Sequence, residues 1–176
     1  MLNATKWTID PAHSDLQFKV KHLGVFTVAG NFKKFQGNAY SETGNFAGSK
    51  INLTIEADSI DTNHPDRDAH LKSADFFNTE KFPHVVFTGA LDSKEDESFL
   101  TGDLTIGETT QPVRLDATYL GVVKGRFGET RAGFEVEGKI NRKAFGLVWN
   151  LLMETGGVIV GEEVKLHFQI QLIKEA

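Results

Sequence analysis

Four ionisable side chains crowd the middle of the chain: His64, Asp66, Asp68 and His70, in the run H-P-D-R-D-A-H. Imidazoles and carboxylates in such proximity can hold a divalent metal or relay a proton. Zinc on a helix, however, takes two histidines four residues apart, on one face. His64 and His70 are six apart and would point in different directions. The same residues also read as a helix start. Pro65 suits the first helical position, where an N–H would have no partner, and Asp66 and Asp68 meet the positive end of the helix dipole. On that reading the four residues work through helix-end electrostatics and hydrogen bonds that tie the segment to its surroundings, and neither a metal nor a catalytic residue is expected among them.

Two other groupings could carry chemistry. His13-Ser14 has a nucleophile beside a base, but no G-x-S-x-G elbow exposes the hydroxyl, so Ser14 is expected to bond backbone at a turn. Arg67, Arg126 and Arg142 could each grip a phosphate or pyrophosphate, although any one of them taken singly reads more readily as a surface or salt-bridged arginine. The chain has no cysteine, which excludes disulfides, thiolate-bound zinc, iron–sulfur clusters and thiol catalysis.

The elements that must position these groups are strands. Leu16, Phe18 and Val20 alternate with Gln17, Lys19 and Lys21. The same period of two runs through Ile51 to Ala57, Val85 to Leu91, Leu100 to Ile106, Val113 to Gly121, Ala132 to Ile140 and Val164 to Leu172. A slip of the apolar face between Phe32 and Phe35 predicts a β-bulge. Turns are expected at 22–26, where a helical turn would also fit, at 93–98 and at 107–112. The pattern gives roughly eight or nine strands, each with one wet and one apolar face, as in an antiparallel barrel or sandwich around a single interior. Two stretches break the alternation: a short helical insertion at about 64–77, ended before Pro83, and an irregular or helical stretch at about 141–155.

Length and composition suit one domain over residues 1–176. The net charge is -5 and no basic run stands out, which argues against a nucleic-acid partner, and no apolar run is long enough to cross a bilayer. No signal peptide is visible at the start, so a cytoplasmic protein is expected, or a periplasmic one if the chain is a trimmed mature form. Fourteen phenylalanines against two tryptophans and two tyrosines make a greasy interior. Gly89, Gly102, Ala117, Gly121 and Gly138 fall on inward positions and are expected to leave room along the axis for a small ligand.

The sequence resembles the YceI family of lipocalin-like polyisoprenoid-binding proteins. The matching stretches are W-T-I-D-P-A-H-S at Trp7 to Ser14, F-K-V-K-H at Phe18 to His22 and D-S-I-D-T at Asp58 to Thr62. They continue with R-D-x-H-L-K-S-x-D-F-F at Arg67 to Phe77, L-x-G-D-L-T-I at Leu100 to Ile106 and I-N-R-x-x-F-G at Ile140 to Gly146. The resemblance implies an all-β fold, an eight-stranded antiparallel up-and-down barrel of extended-lipocalin type. It also implies an apolar cavity for a long isoprenoid such as a polyprenyl phosphate or a quinone tail, with no cofactor beyond that lipid, and usually a homodimer.

The ligand-facing residues expected on these grounds are Phe18, Phe32, Phe87, Ala117, Phe134 and Gly138 on the strands. From the insertion come Arg67, His70, Leu71, Phe76 and Phe77, with His22 nearby; from the second irregular stretch come Arg142, Phe145 and Trp149. An anionic head is expected near Arg67 and His70. Two rival readings stand beside this one: an enzyme on a similar apolar substrate, with Asp68, His70 and His22 as acid–base groups, and a structural protein whose barrel is packed solid.

Overall fold

A computed structural model describes residues 3–150 and 159–176. Strand β1 is Thr5–Ile9, followed by a 3-10 turn at Pro11–His13, β2 at Asp15–His22, β3 at Phe26–Phe32, β4 at Phe35–Ser41 and β5 at Lys50–Glu56. The short β6 (Ile60–Asp61) leads into helix α1 (Pro65–Lys72). Then come β7 (His84–Lys94), β8 (Glu97–Ile106), β9 (Thr109–Lys124), β10 (Thr130–Asn141), a 3-10 turn at Arg142–Phe145, and β11 (Val160–Lys174). All pairings are antiparallel, in the order β1-β4-β5-β7-β8-β9-β10-β11, and β11 pairs back onto β1. The ring of eight is closed, so those strands leave no open edge. β2, β3 and β6 prolong it at one end, against β11.

Two breaks bend the first strands onto this curved wall. Pro11 cannot donate to a ladder, so β1 ends at Ile9 and Asp10 caps the turn that follows. The Asp10 N–H still reaches the Gln171 carbonyl at 2.9 Å, and Ser14 Oγ accepts from the Gln171 N–H at 3.0 Å, so β1 and β2 both lie along β11. The apolar slip predicted between Phe32 and Phe35 is the gap between β3 and β4. There the Lys33 N–H bonds the Ser59 carbonyl and the Lys34 carbonyl accepts from the Glu56 N–H, at 3.1 and 2.9 Å.

Several expected boundaries shift. Residues 22–26 form a tight hairpin rather than a helical turn, with Leu23 and Gly24 at φ 54° and 78°. The expected turn at 107–112 is confined to Gly107 and Glu108, and Pro112 sits within β9 opposite Asp103. The helical insertion ends earlier than 77: Ser73 Oγ caps the His70 carbonyl at 2.6 Å, and the chain turns through Phe76 and Phe77. In the second irregular stretch, Arg142–Phe145 is a 3-10 turn closed by Gly146 in the left-handed region, while 151–155 lie outside the described residues. None of the described helices is long and apolar enough to cross a membrane.

Large side chains close one end of the barrel. Phe46, from the loop between β4 and β5, is only 1% exposed and stacks within 4.9 Å of Trp7, 5.1 Å of Phe134 and 5.7 Å of Tyr119. Its φ of 65° is costly for a residue with a Cβ. The loop is held there from several sides: Ser49 donates to the Phe46 carbonyl through both N–H and Oγ, and Gly48 and Ser49 pair with Leu91 of β7.

Candidate functional site

Above the Phe46 plug the barrel is hollow. Phe18, Phe32, Leu104, Val113, Leu166 and Phe168 point inward yet are only half-buried, because they face empty space. The cavity offers about 230 Å³ to the centres of water-sized molecules. Its floor is Phe46, Phe134 and Ile9, and its opposite, helical end is bounded by Leu71, Phe76 and Phe77 of the insertion and by Arg142 and Leu147. The reading of a solid barrel is thereby overturned.

Of the residues expected to face a ligand, Phe18, Phe32, Leu71, Phe76, Phe77, Phe87, Ala117, Phe134 and Arg142 line the cavity. Phe32 joins the wall to the insertion, with its ring centroid 5.6 Å from Phe18 and 5.9 Å from Phe77. Gly138 points inward but leaves no room, because the Leu115 side chain lies where its Cβ would be, 2.3 Å from Leu115 Cδ2. Gly89 and Gly102 are likewise not open space. They face each other across β7 and β8, and a Cβ on either would strike the other strand's backbone, at 2.2 Å and 2.3 Å. Gly121 sits at the β9–β10 irregularity with φ 119°. Of the five small residues expected to make space, Ala117 is the one that lines the cavity.

The charged candidates separate sharply. Arg142 lies inside and is 3% exposed. Its Nε donates to the Gly161 carbonyl at 2.7 Å, Nη1 to those of Leu147 and Trp149 at 2.6 and 2.9 Å, and Nη2 to that of Val160 at 3.1 Å. The guanidinium thus clamps the segment after β10 to the start of β11. Burial pulls its pKa below the ordinary value, and the nearby Glu162 carboxylate works the other way. Arg67 instead donates to Thr62 through Nε and Nη2, at 2.7 and 2.6 Å to Oγ1 and the carbonyl. Arg126 lies in the β9–β10 turn, at the plug end, over the Phe127 ring.

The H-P-D-R-D-A-H run holds α1 in place. His64 Nδ1 accepts from the Arg67 N–H at 3.1 Å, and the Asp68 carboxylate accepts from the Thr62 N–H and hydroxyl at 3.0 and 2.5 Å. His70 Nε2 meets Asp75 at 2.9 Å, while its ring packs edge-on against Phe76 and Trp149. None of Asp68, His70 and His22 lines the cavity; nor do Arg67, Trp149 and Phe145, the last of which is buried in the core. The wall is therefore almost wholly apolar, and Arg142 is the one charged residue on it among the described residues. Such a space can hold a long hydrocarbon, and among the described residues no acid–base pair converges on it.

Sequence reasoning missed the plug. Phe46 stands in S-E-T-G-N-F-A-G, whose local signals say only turn; its one clue is that a large apolar ring at a solvated tip would be unfavourable. It also left Val164, Leu166, Phe168 and Ile170 of β11 off the ligand side, although their inward alternation was plain.

The YceI-like domain family model matches residues 7–172. The chain is 44% identical over 140 residues to Protein YceI of Escherichia coli O157:H7, covering 79% of this chain and 73% of that one. A crystal structure of the Campylobacter jejuni YCEI protein superposes with a TM-score of 0.72 at 28% identity, covering 89% of this chain and 90% of that one. A polyisoprenoid binding domain from Saccharophagus degradans implicated in plant cell wall breakdown shares the fold at a TM-score of 0.69 and 12% identity, over 96% and 98% of the two chains.

Proposed function

The chain belongs to the YceI-like domain family, and on that premise we propose that it is a non-enzymatic binder of a long-chain isoprenoid lipid, held in the barrel for storage or transport. The carrying observation is a cavity walled by phenylalanine, leucine, isoleucine and valine, closed below by Phe46. Each methylene moved from water into such a space gains about 0.8 kcal/mol, so a chain of several isoprene units is held without polar contacts. Selection is then by length, girth and polarity. The tail lies along the axis with its end on the Phe46 floor, and the head, a phosphate or a quinone ring, stays at the helical end near Arg142. A homodimer belongs to the same reading and is measured by sedimentation of the purified chain.

Filling the cavity tests this reading. Ala117→Phe is expected to lose isoprenoid retention while circular dichroism shows an intact barrel, at a stability cost of about 1–3 kcal/mol for overpacking. Unaltered retention in a folded variant would sink the proposal.

A further inference from the structure

The β2–β3 hairpin places apolar side chains in water at the helical end of the barrel. Val25 is 73% exposed and Phe26 60%, with Leu23 beside them at the tip. The tip adjoins the cavity rim: the Leu23 N–H bonds the Ile159 carbonyl at 2.8 Å, and His22 is in register with Val160, which lines the cavity next to Arg142. Val148, 61% exposed, comes from the segment that Arg142 clamps to the same rim. Water is an unfavourable place for this cluster unless something takes it up.

Charge says what that is. From Leu16 to Ser41 the chain carries Lys19, Lys21, Lys33 and Lys34 and no acidic residue, although the net charge of the whole is -5. Lys165 of β11 extends the set, lying opposite Lys19. None of these five lysines is in an ion pair among the described residues. The carboxylates closest in sequence to Val160, Glu162 and Glu163, are already neutralised by Lys143 and Lys139. Lys19, Lys21 and Lys165 flank the apolar tip along β2 and β11, whereas Lys33 and Lys34 lie past the far end of β3. An exposed apolar tip beside lysines outside any ion pair matches a bilayer surface with anionic headgroups.

We infer that the β2–β3 hairpin docks the barrel on an anionic lipid bilayer, with Leu23, Val25 and Phe26 entering the interface and the cavity rim facing the membrane. This rests on the isoprenoid-binder reading and adds where the lipid is exchanged: directly with the bilayer, without passage of the tail through water. The exposed Phe127, at the plug end, lies away from the rim and serves as the control.

The test is flotation of the full chain with phosphatidylcholine vesicles with and without phosphatidylglycerol, alongside mass spectrometry of the lipid carried by each purified variant. Binding is expected to need phosphatidylglycerol and to weaken with salt. The double variant Val25→Ser, Phe26→Ser is expected to bind at least about tenfold more weakly. Lys19→Gln with Lys21→Gln is expected to lose several-fold per charge, while Phe127→Ser floats like the parent. Any of three results overturns the inference: no flotation of the parent protein, unchanged flotation of the double variant, or a tip variant whose only change is from dimer to monomer in sedimentation, which would assign the tip to a second copy. Failure of the parent reading is seen separately, as an absence of isoprenoid in every extract.

Discussion

The imidazole of His70 meets the indole of Trp149 edge to face, with centroids 4.5 Å apart and planes at 89°. This contact joins the two irregular stretches of the chain: the insertion after β6 and the segment after β10 close over the same end of the barrel. His70 is anchored in turn by Asp75, and Trp149 by the Arg142 bond to its carbonyl. In a Trp7→Phe background, so that Trp149 is the sole tryptophan and is excited selectively over the two tyrosines, His70→Ala should shift the emission to longer wavelength at a stability cost of about 1 kcal/mol. An unchanged spectrum would show that the two stretches are held together elsewhere.

Arg142→Met removes the donor from four backbone carbonyls at once and should cost about 3–5 kcal/mol by urea unfolding. Arg142→Lys should recover only part, because an ammonium cannot fork to carbonyls on both sides as a guanidinium does. Equal stability of the two variants would show that charge, rather than the fork, is what the site needs.

These residues mark where the sequence was legible and where it was not. The alternation of Leu16, Phe18 and Val20 fixed both the strand and its inner face, because a period of two admits one assignment once one side is wet. Pro65, Asp66 and Asp68 announced the helix start for equally local reasons. Among Arg67, Arg126 and Arg142, by contrast, nothing nearby distinguished the buried one, since the Gly161 and Val160 carbonyls that satisfy Arg142 lie on the next strand. Phe46 was hidden in turn chemistry for the same reason: its partners Trp7, Tyr119 and Phe134 come from three distant strands. Gly138 misled because alternation gives direction but not what a neighbour such as Leu115 has already filled.

Phe46→Ala should destabilise the barrel by about 3–5 kcal/mol, the usual cost of removing a buried phenylalanine. It should also deepen the cavity, shifting the lipids retained toward longer chains. A stability loss with no change in chain-length preference would show that Phe46 is a core residue but not the floor.

Asp10 fastens the β1–β2 corner, accepting from Arg131 Nη1 at 2.7 Å, from His13 at 2.7 Å and from the Ala12 N–H at 3.1 Å. The Arg131 hydrogen bond, ahead of opposing desolvation, holds its carboxyl below the ordinary value. A lowered carboxyl contributes stability above its unfolded value, and that contribution disappears as pH falls through the folded one. Asp10→Asn should therefore cost about 1–2 kcal/mol near neutrality. The gap to the parent protein should close only in acid, below the normal aspartate range. A gap independent of pH would assign the effect to shape rather than charge.

That the cavity holds an isoprenoid is the proposal on which the other roles rest. It is tested most directly by mass spectrometry of an organic extract of the protein purified from its native host. One isoprenoid species near stoichiometric amount is expected, absent from an Ala117→Phe extract prepared in parallel. A folded, monodisperse protein whose extract carries no isoprenoid would contradict it.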